Sequence, residues 1–239
     1  MNKDLRGFQF SIEAEVQSFQ VRPDGKIWLH ALADWFQEIA WRHANSGGFG
    51  TEINQSQLMW ALARLEIKAK KLPTWGDNFK LYTAGRGVNK IFAFREFLLT
   101  DSEGEKLVEG MSSWLLLDSA TKRPKNPEVV LPESLFDPKL KPNWEPEKIR
   151  VLNGDFSIRH KKVEPTDVDL YQHVNNTSYL RWAENITYSE REPAKHCLIN
   201  YLSESHLGDE LDIRQLPTGS GHYLEGAIQG IKVFTSLWN

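Results

Sequence analysis

The sequence predicts an α+β fold in which one structural unit occurs twice. Both units begin with Phe-Ser-Ile, at Phe10 and at Phe156, and each of these stretches alternates apolar and polar residues as a half-buried strand does. A helical pattern and then several strand-like stretches follow in each unit. Because a single helix precedes a run of strands, this order argues against a doubly wound sheet, in which helices and strands alternate throughout.

Each predicted helix has one apolar face. In both units the apolar residues recur at the spacing of a helix with 3.6 residues per turn. Asn175 and Asn176 precede the second helix and are suited to cap its N-terminus. A sheet must cover each apolar face. The apolar positions are Leu32, Trp35, Phe36, Ile39 and Ala40 in the first unit and Tyr179, Trp182, Ala183 and Ile186 in the second.

Turn signals divide each unit further. Gly76-Asp77 in the first unit and Gly208-Asp209 in the second each separate two strand-like stretches. Between the units, residues 122–150 contain six prolines, a composition that resists helix and strand alike. The predicted organisation is an N-terminal unit at 1–121, a proline-rich linker at 122–150 and a C-terminal unit at 151–239.

Composition excludes several classes of protein. The 239 residues are 40% hydrophobic and 26% charged, enough for a large core and unlike a disordered chain. A net charge of -3 argues against a protein held to nucleic acid by phosphate contacts. No apolar run approaches the ~18 residues of a membrane helix, and no secretory signal is apparent at the start. The one cysteine, Cys197, excludes an intrachain disulfide and fits a reducing cytoplasm.

Chemically capable residues concentrate between Asp167 and Asn176. This stretch holds two carboxylates, one imidazole and three amides at the junction of a loop and a predicted helix N-terminus. The N–H groups of a helix N-terminus are unpaired and carry a partial positive charge, which suits a developing oxyanion. The first unit has Leu32 and Ala33 in place of the polar caps. Only the second unit is therefore equipped for catalysis.

This segment, with Tyr179 and Trp182 after it, resembles the acyl-acyl carrier protein thioesterases of bacteria and plant plastids. The resemblance implies two tandem hotdog folds, each an antiparallel sheet wrapped around a long helix. It also implies hydrolysis of fatty acyl thioesters of acyl carrier protein, releasing free fatty acid in fatty acid biosynthesis. Further similar stretches are Ile27 to Ser46, Trp75 to Asp77, Arg86 to Val88 and Trp114 to Asp118.

By position, the resemblance implies that Asp169, His173 and Glu204 form the catalytic set. Glu204 is placed by the residues before the second Gly-Asp turn, which are similar to a family strand that ends in Glu-Cys. Two positions depart from the family pattern. Tyr171 stands where asparagine is common, and Ser205 stands where plant members have cysteine. A cysteine nucleophile at that position is therefore excluded.

Thioester hydrolysis needs a base and an oxyanion site more than it needs an acid, because a thiol of pKa ~8.5 is a good leaving group. Glu204, with a pKa raised by partial burial, is the expected base that activates water. His173 would position the water or the thioester, and Asp169 would fix the tautomer of its ring. No metal or organic cofactor is needed. The expected oxyanion and substrate residues are Val174, Asn175, Asn176 and Tyr171.

Other interpretations stay open at this point. Asp169 and Asn176 could be turn and cap residues, and Glu204 could be a solvated surface residue. A metal site built from Asp167, Asp169, His173 and Glu204 is disfavoured by the lack of histidine-rich spacing. For the whole protein, the alternatives are an acyl-CoA thioesterase of the hotdog type and a non-catalytic acyl-binding hotdog protein.

We expect the acyl chain to lie in the first unit, whose helix offers apolar volume without chemistry. The candidate pocket residues are Leu32, Phe36 and Met59. The expected partner is an acyl carrier protein carrying a fatty acyl thioester, with no nucleic acid and no membrane span. The expected state is a monomer or a homodimer, because one chain already contains the two units that single-hotdog proteins combine by dimerising.

Overall fold

One antiparallel sheet runs through both halves of the chain. The computed structural model describes residues 5, 7–46, 57–130, 140–189 and 193–239. The strands are β1 (Phe10–Glu15), β2 (Leu58–Ala69), β3 (Asn78–Asn89), β4 (Phe92–Asp101), β5 (Lys106–Asp118), β6 (Pro124–Lys125), β7 (Ser157–Lys162), β8 (His196–Tyr201), β9 (Glu210–Thr218), β10 (Gly221–Ile228) and β11 (Ile231–Trp238). The helices are α1 (Leu29–Ser46), α2 (Pro127–Val130) and α3 (Asn176–Thr187).

The order of strands in the sheet confirms the predicted repeat. In the described residues the order is β1-β3-β4-β5-β2-β8-β11-β10-β9-β7, with β6 beside β5. The second half therefore mirrors the first, strand for strand, and the α+β prediction is confirmed. Both Gly-Asp turns form as expected, with Gly76 and Gly208 at φ of +83° and +88°, in the left-handed region that glycine enters at little cost.

The two long helices lie where the apolar periodicity predicts them. α1 buries Leu32, Phe36 and Ile39 on the predicted face. α3 begins after Asn175, whose side-chain oxygen accepts a hydrogen bond from the Thr177 N–H at 3.1 Å, so that Asn175 is the N-cap. The glycines expected to end the first helix, Gly47 and Gly48, lie outside the described residues. None of the described helices has the length and apolarity needed to cross a bilayer.

The two halves join where β2 pairs with β8. Five antiparallel residue pairs form this seam, from Arg64 opposite Asn200 to Lys68 opposite His196. α1 and α3 pack against each other beside it. A single cluster of buried apolar side chains contains residues of both helices and of both sets of strands. The main core of the described residues is therefore shared by the two halves.

A buried carboxylate also connects the halves. Glu184 on α3 accepts hydrogen bonds from the N–H groups of Leu29 and His30, at 2.8 and 3.0 Å. These groups belong to the first turn of α1, where helical N–H groups lack partners within the helix and attract negative charge. The ring Nδ1 of His30 lies 2.8 Å from the same carboxylate. The second half thus caps the long helix of the first.

The linker is more ordered than its proline content predicts. β6 pairs with β5, and the one-turn helix α2 follows, which corrects the expectation that 122–150 holds neither strand nor helix. Further on, the linker contacts β8 through Asn200, whose amide donates to the Glu147 carbonyl and accepts from the Ile149 N–H. Ile149 then packs on Leu198. These contacts cover the face of β8 opposite the main core.

His196 lies at the seam and favours its protonated form there. Its Nε2 is 2.9 Å from Glu66 Oε1 and its Nδ1 is 2.6 Å from Asn239 Oδ1, so that both ring nitrogens face acceptors. The hydrogen bond with Glu66 raises the pKa of His196 above its ordinary 6.5, and it outweighs burial and the nearby Lys68 ammonium, which act in the opposite direction. The stabilisation is therefore complete below about pH 6.5 and is lost as the pH rises through the raised pKa.

Replacing His196 by asparagine should remove this pH dependence. We expect the difference in melting temperature between wild type and His196→Asn to be largest at mildly acidic pH and to shrink as the pH rises. Thermal unfolding at a series of pH values measures it. His160→Asn, on the exposed outer strand β7, is the matched control. Parallel curves for wild type and His196→Asn would contradict the assignment.

Candidate active site

The segment before α3 forms a tight loop that presents His173. Val168 and Val174 pair as an isolated bridge, and the Asp169 N–H donates to the His173 carbonyl at 2.9 Å. The carboxylate Oδ1 of Asp169 accepts the backbone N–H groups of Tyr171, at 2.8 Å, and of His173, at 3.4 Å. The carboxylate therefore holds the backbone of the loop. We expected the carboxylate to fix the tautomer of the His173 ring, but its hydrogen bonds are to backbone N–H groups instead.

Asp167 anchors the same loop from the interior. Its buried carboxylate accepts hydrogen bonds from the Arg181 guanidinium at 2.7 Å, the Trp182 indole at 3.2 Å and the Glu164 N–H at 3.0 Å, and it lies 3.1 Å from the Lys161 ammonium. Burial opposes ionisation, but these donors outweigh it and hold the pKa of Asp167 below its ordinary 3.8. Asp167 is thus a structural residue, with its oxygens already engaged.

His173 and Glu204 come together although 31 positions separate them in the sequence. The Val174 N–H donates to the Ser205 carbonyl at 2.8 Å and so ties the loop to the segment after β8. This bond sets His173 Nε2 3.6 Å from Glu204 Oε2. The two side chains are 28% and 44% exposed. Both side chains are therefore partly accessible to solvent.

Two further side chains at this position were missed by the sequence analysis. The Lys122 ammonium lies 4.0 Å from Glu204 Oε1, and the His206 ring packs edge-on against the His173 ring with centroids 5.0 Å apart. The spacing of His206, two residues after Glu204, could have indicated it. No sequence signal indicates Lys122, because it reaches the site from the turn after β5, in the other half of the chain.

The N-terminus of α3 offers less than expected as an oxyanion site. The N–H groups of Val174 and Asn175 already donate to the carbonyls of Ser205 and Asp167, both at 2.8 Å. The expected oxyanion role of these two groups is therefore wrong. The Asn176 N–H has no hydrogen-bond partner among the described residues, which leaves it as the one free donor of the three expected.

An apolar groove opens beside Asn176. The walls come from both halves, with α1, β2, β4 and β5 on one side and the start of α3 and the end of β8 on the other. Phe36 lies in the groove wall, and its ring stacks on Phe97 at a centroid distance of 4.5 Å. The residues that line the groove are Ala33, Phe36, Gln37, Leu62, Leu65, Phe97, Ser112, Trp114, Asn176, Thr177 and Tyr201.

Three of the sequence-predicted substrate residues lie elsewhere. Leu32 is fully buried in the core and does not reach the groove. Met59, at the start of β2, contacts the Lys122 ammonium through its sulfur at 3.1 Å. Tyr171 is 69% exposed on the loop, so that its side chain does not shape the pocket.

Family comparisons agree with this architecture. The model of the acyl-ACP thioesterase N-terminal domain matches residues 7–133, and that of the C-terminal domain matches residues 153–229. The chain belongs to the acyl-ACP thioesterase family. The family resemblance is thereby confirmed, and each of the two matched regions falls in one of the two mirrored halves of the sheet.

Individual relatives agree with the family assignment. This acyl-ACP thioesterase family member is 27% identical over 202 residues to an oleoyl-acyl carrier protein thioesterase of Arabidopsis thaliana, covering 74% of the chain and 54% of the relative. It is 31% identical over 194 residues to a palmitoyl-acyl carrier protein thioesterase of Gossypium hirsutum, covering 74% and 46%. Both relatives are named as chloroplastic. The chain thus spans about half the length of the curated relatives that it matches.

A solved structure shares the whole fold. The crystal structure of an acyl-ACP thioesterase from Bacteroides thetaiotaomicron superposes with a TM-score of 0.84 at 22% identity, covering 96% of each chain. The likeness extends over both halves and the seam between them. The prediction of two tandem hotdog folds is confirmed.

Proposed function

We propose that this protein hydrolyses fatty acyl thioesters of acyl carrier protein and releases the free fatty acid. The observation that carries the proposal is the His173–Glu204 pair, in which His173 belongs to the loop that leads into α3. Asn176, at the start of α3, has a free N–H and lines the apolar groove. A base and an oxyanion donor thus belong to neighbouring segments, and the groove marks the surface where the acyl chain would enter between the halves. The names of the curated relatives support acyl carrier protein as the carrier.

The arrangement supports direct attack by water. Glu204 takes a proton from the water, and His173 Nε2, 3.6 Å from the carboxylate, holds that water or the thioester in position. The oxyanion forms beside the Asn176 N–H at the positive end of the α3 dipole. The thiol leaves as its C–S bond breaks, and the proton on Glu204 returns to the thiolate. Lys122 contacts the other oxygen of Glu204 and orients the carboxylate.

Asp169 acts through the backbone in this scheme. Its carboxylate accepts the Tyr171 and His173 N–H groups and so fixes the position from which the imidazole reaches Glu204. We class Asp169 as a positioning residue, with Glu204 and His173 as the residues that touch water or substrate. No metal or organic cofactor enters any step.

The proposal includes a carrier and a setting. Lys122 lies on the surface beside Glu204, and the next residue, Arg123, is also exposed. These two positive charges would meet the acidic surface of an acyl carrier protein. One chain supplies both the groove and the base, so that a monomer suffices for the chemistry. We assign the protein to a reducing cytoplasm, with Cys197 buried as a free thiol.

A panel of acyl carrier protein and CoA thioesters tests the proposal. With acyl chains from C4 to C18 and free acid as the readout, we expect hydrolysis with higher kcat/KM on the carrier-protein thioesters. Equal or higher kcat/KM on the CoA thioesters would reject acyl carrier protein as the preferred carrier. The protein would then be an acyl-CoA thioesterase of the hotdog type. Acyl binding without hydrolysis would reject the enzyme.

Alanine substitutions test the catalytic set. Asp169→Ala, His173→Ala and Glu204→Ala should each lower kcat by ~10²-fold or more, because Glu204 and His173 act on one water and Asp169 holds the loop that positions His173. The melting temperature should change little for the half-exposed His173 and Glu204.

Cys197→Ala and Ser205→Ala serve as the comparison. Both residues are fully buried, and neither acts as a nucleophile in the proposed mechanism. A loss of activity equal to that of Glu204→Ala, or an acyl-enzyme trapped in mass spectra, would show the water mechanism to be wrong.

Chain-length choice should depend on Phe36. Replacing it by alanine opens the groove wall, and each additional methylene buried there contributes ~0.8 kcal/mol, about a fourfold preference. We expect Phe36→Ala to move the optimum toward longer acyl chains on the C4 to C18 panel. Leu32→Ala is the matched control, since Leu32 lies on the same helix, equally buried but away from the groove. A shift of the chain-length optimum with Leu32→Ala but not with Phe36→Ala would show that the acyl chain lies outside this groove.

A further inference from the structure

His206 meets the proposed catalytic pair without having a part in hydrolysis. Its ring packs against His173, and the segment that carries Glu204 also carries His206. One ligand atom from each of His173, Glu204 and His206 lies within 4.8 Å of the others. Two imidazole nitrogens and one carboxylate oxygen form a donor set that Zn²⁺ takes in proteins, with a fourth position left open.

We propose that His173, Glu204 and His206 bind a divalent transition-metal ion, with Zn²⁺ as the best match, and that this ion reversibly inhibits the enzyme. The inhibitory part rests on the proposed hydrolysis, whereas the binding part does not. Zn²⁺ would engage the carboxylate and imidazole lone pairs that the attacking water needs. Bound metal and hydrolysis therefore exclude each other.

Binding requires the three ligand atoms, now within 4.8 Å of one another, to move closer together. Ligands at 2.0–2.1 Å around a tetrahedral Zn²⁺ stand roughly 3.3 Å apart. His173 Nε2 and Glu204 Oε2 are already 3.6 Å apart. The His206 side chain is 57% exposed, so that its ring can rotate toward the pair without disturbing the core.

The surroundings of His206 supply a supporting carboxylate. Its backbone N–H donates to Asp209 Oδ2 at 2.8 Å, and its ring Nδ1 lies 3.9 Å from the same oxygen. Metal-bound imidazoles commonly donate their second N–H to a carboxylate, which orients the ring. The Lys122 ammonium contacts Oε1 of Glu204, whereas Oε2 lies toward the His173 ring. Its positive charge opposes a bound cation, which favours reversible binding over a resident ion.

Titration of tag-free, metal-stripped protein with Zn²⁺ tests the site directly. Calorimetry should show one Zn²⁺ per chain at this site, and release of free acid should fall over the same concentration range. Free acid is the readout because Zn²⁺ also binds the thiol product. Mg²⁺ at equal concentration should neither bind nor inhibit, since it prefers oxygen ligands.

The decisive variant is His206→Asn. It should keep the rate of hydrolysis in the absence of metal, while Zn²⁺ binding and inhibition both weaken by ~10-fold or more. His160→Asn, which removes an exposed histidine on β7, should behave like wild type.

The outcomes separate the two proposals. If wild type binds no Zn²⁺, or if His206→Asn binds and is inhibited as wild type is, the metal site is wrong even where hydrolysis is observed. Binding that depends on His206 but leaves hydrolysis unaffected overturns the inhibition. Binding that depends on His206 in a protein that hydrolyses no thioester would support the site and reject the proposed function.

Discussion

The pairing of β2 with β8 is the constraint on which the rest of the structure depends. It joins two mirrored sets of strands into one sheet, so that a single core covers both long helices. Without it, each helix would expose part of its apolar face, and the groove would lose one wall. Glu184 strengthens the junction by capping α1 from the opposite half. Folding of either half alone would leave this buried carboxylate without its partners.

The pairing of β2 with β8 also brings together features that the two halves supply separately. The first half supplies most of the groove, including Phe36, through apolar side chains of its helix and strands. The second half supplies His173, Glu204 and the free N–H at the start of α3. The contact between the halves holds these features at fixed positions relative to each other. Two units joined only by a flexible linker would not do so. Lys122, after β5, brings a positive charge to Glu204 from beyond the second half.

The candidate site was only partly predictable. The loop before α3 is local, so the order of Asp167, Asp169 and His173 indicated a polar cluster at a helix N-terminus, and Asn175 was correctly expected as a cap. Which atoms meet within that loop was not predictable. The fold of the turn decides which N–H groups a carboxylate can accept. Here the Asp169 carboxylate accepts backbone N–H groups of the loop and not the N–H of the imidazole ring.

The sequence by itself determined the elements: two α+β units, their helices, their Gly-Asp turns and the polar stretch before α3. Each of these depends on residues close together in the chain, through periodicity, capping and turn chemistry. Only the tertiary structure decided the pairing of the halves, the wall of the groove and the meeting of His173 with Glu204, Lys122 and His206. These are contacts between distant segments, and their distances are set by packing and by sheet register, which no local pattern encodes.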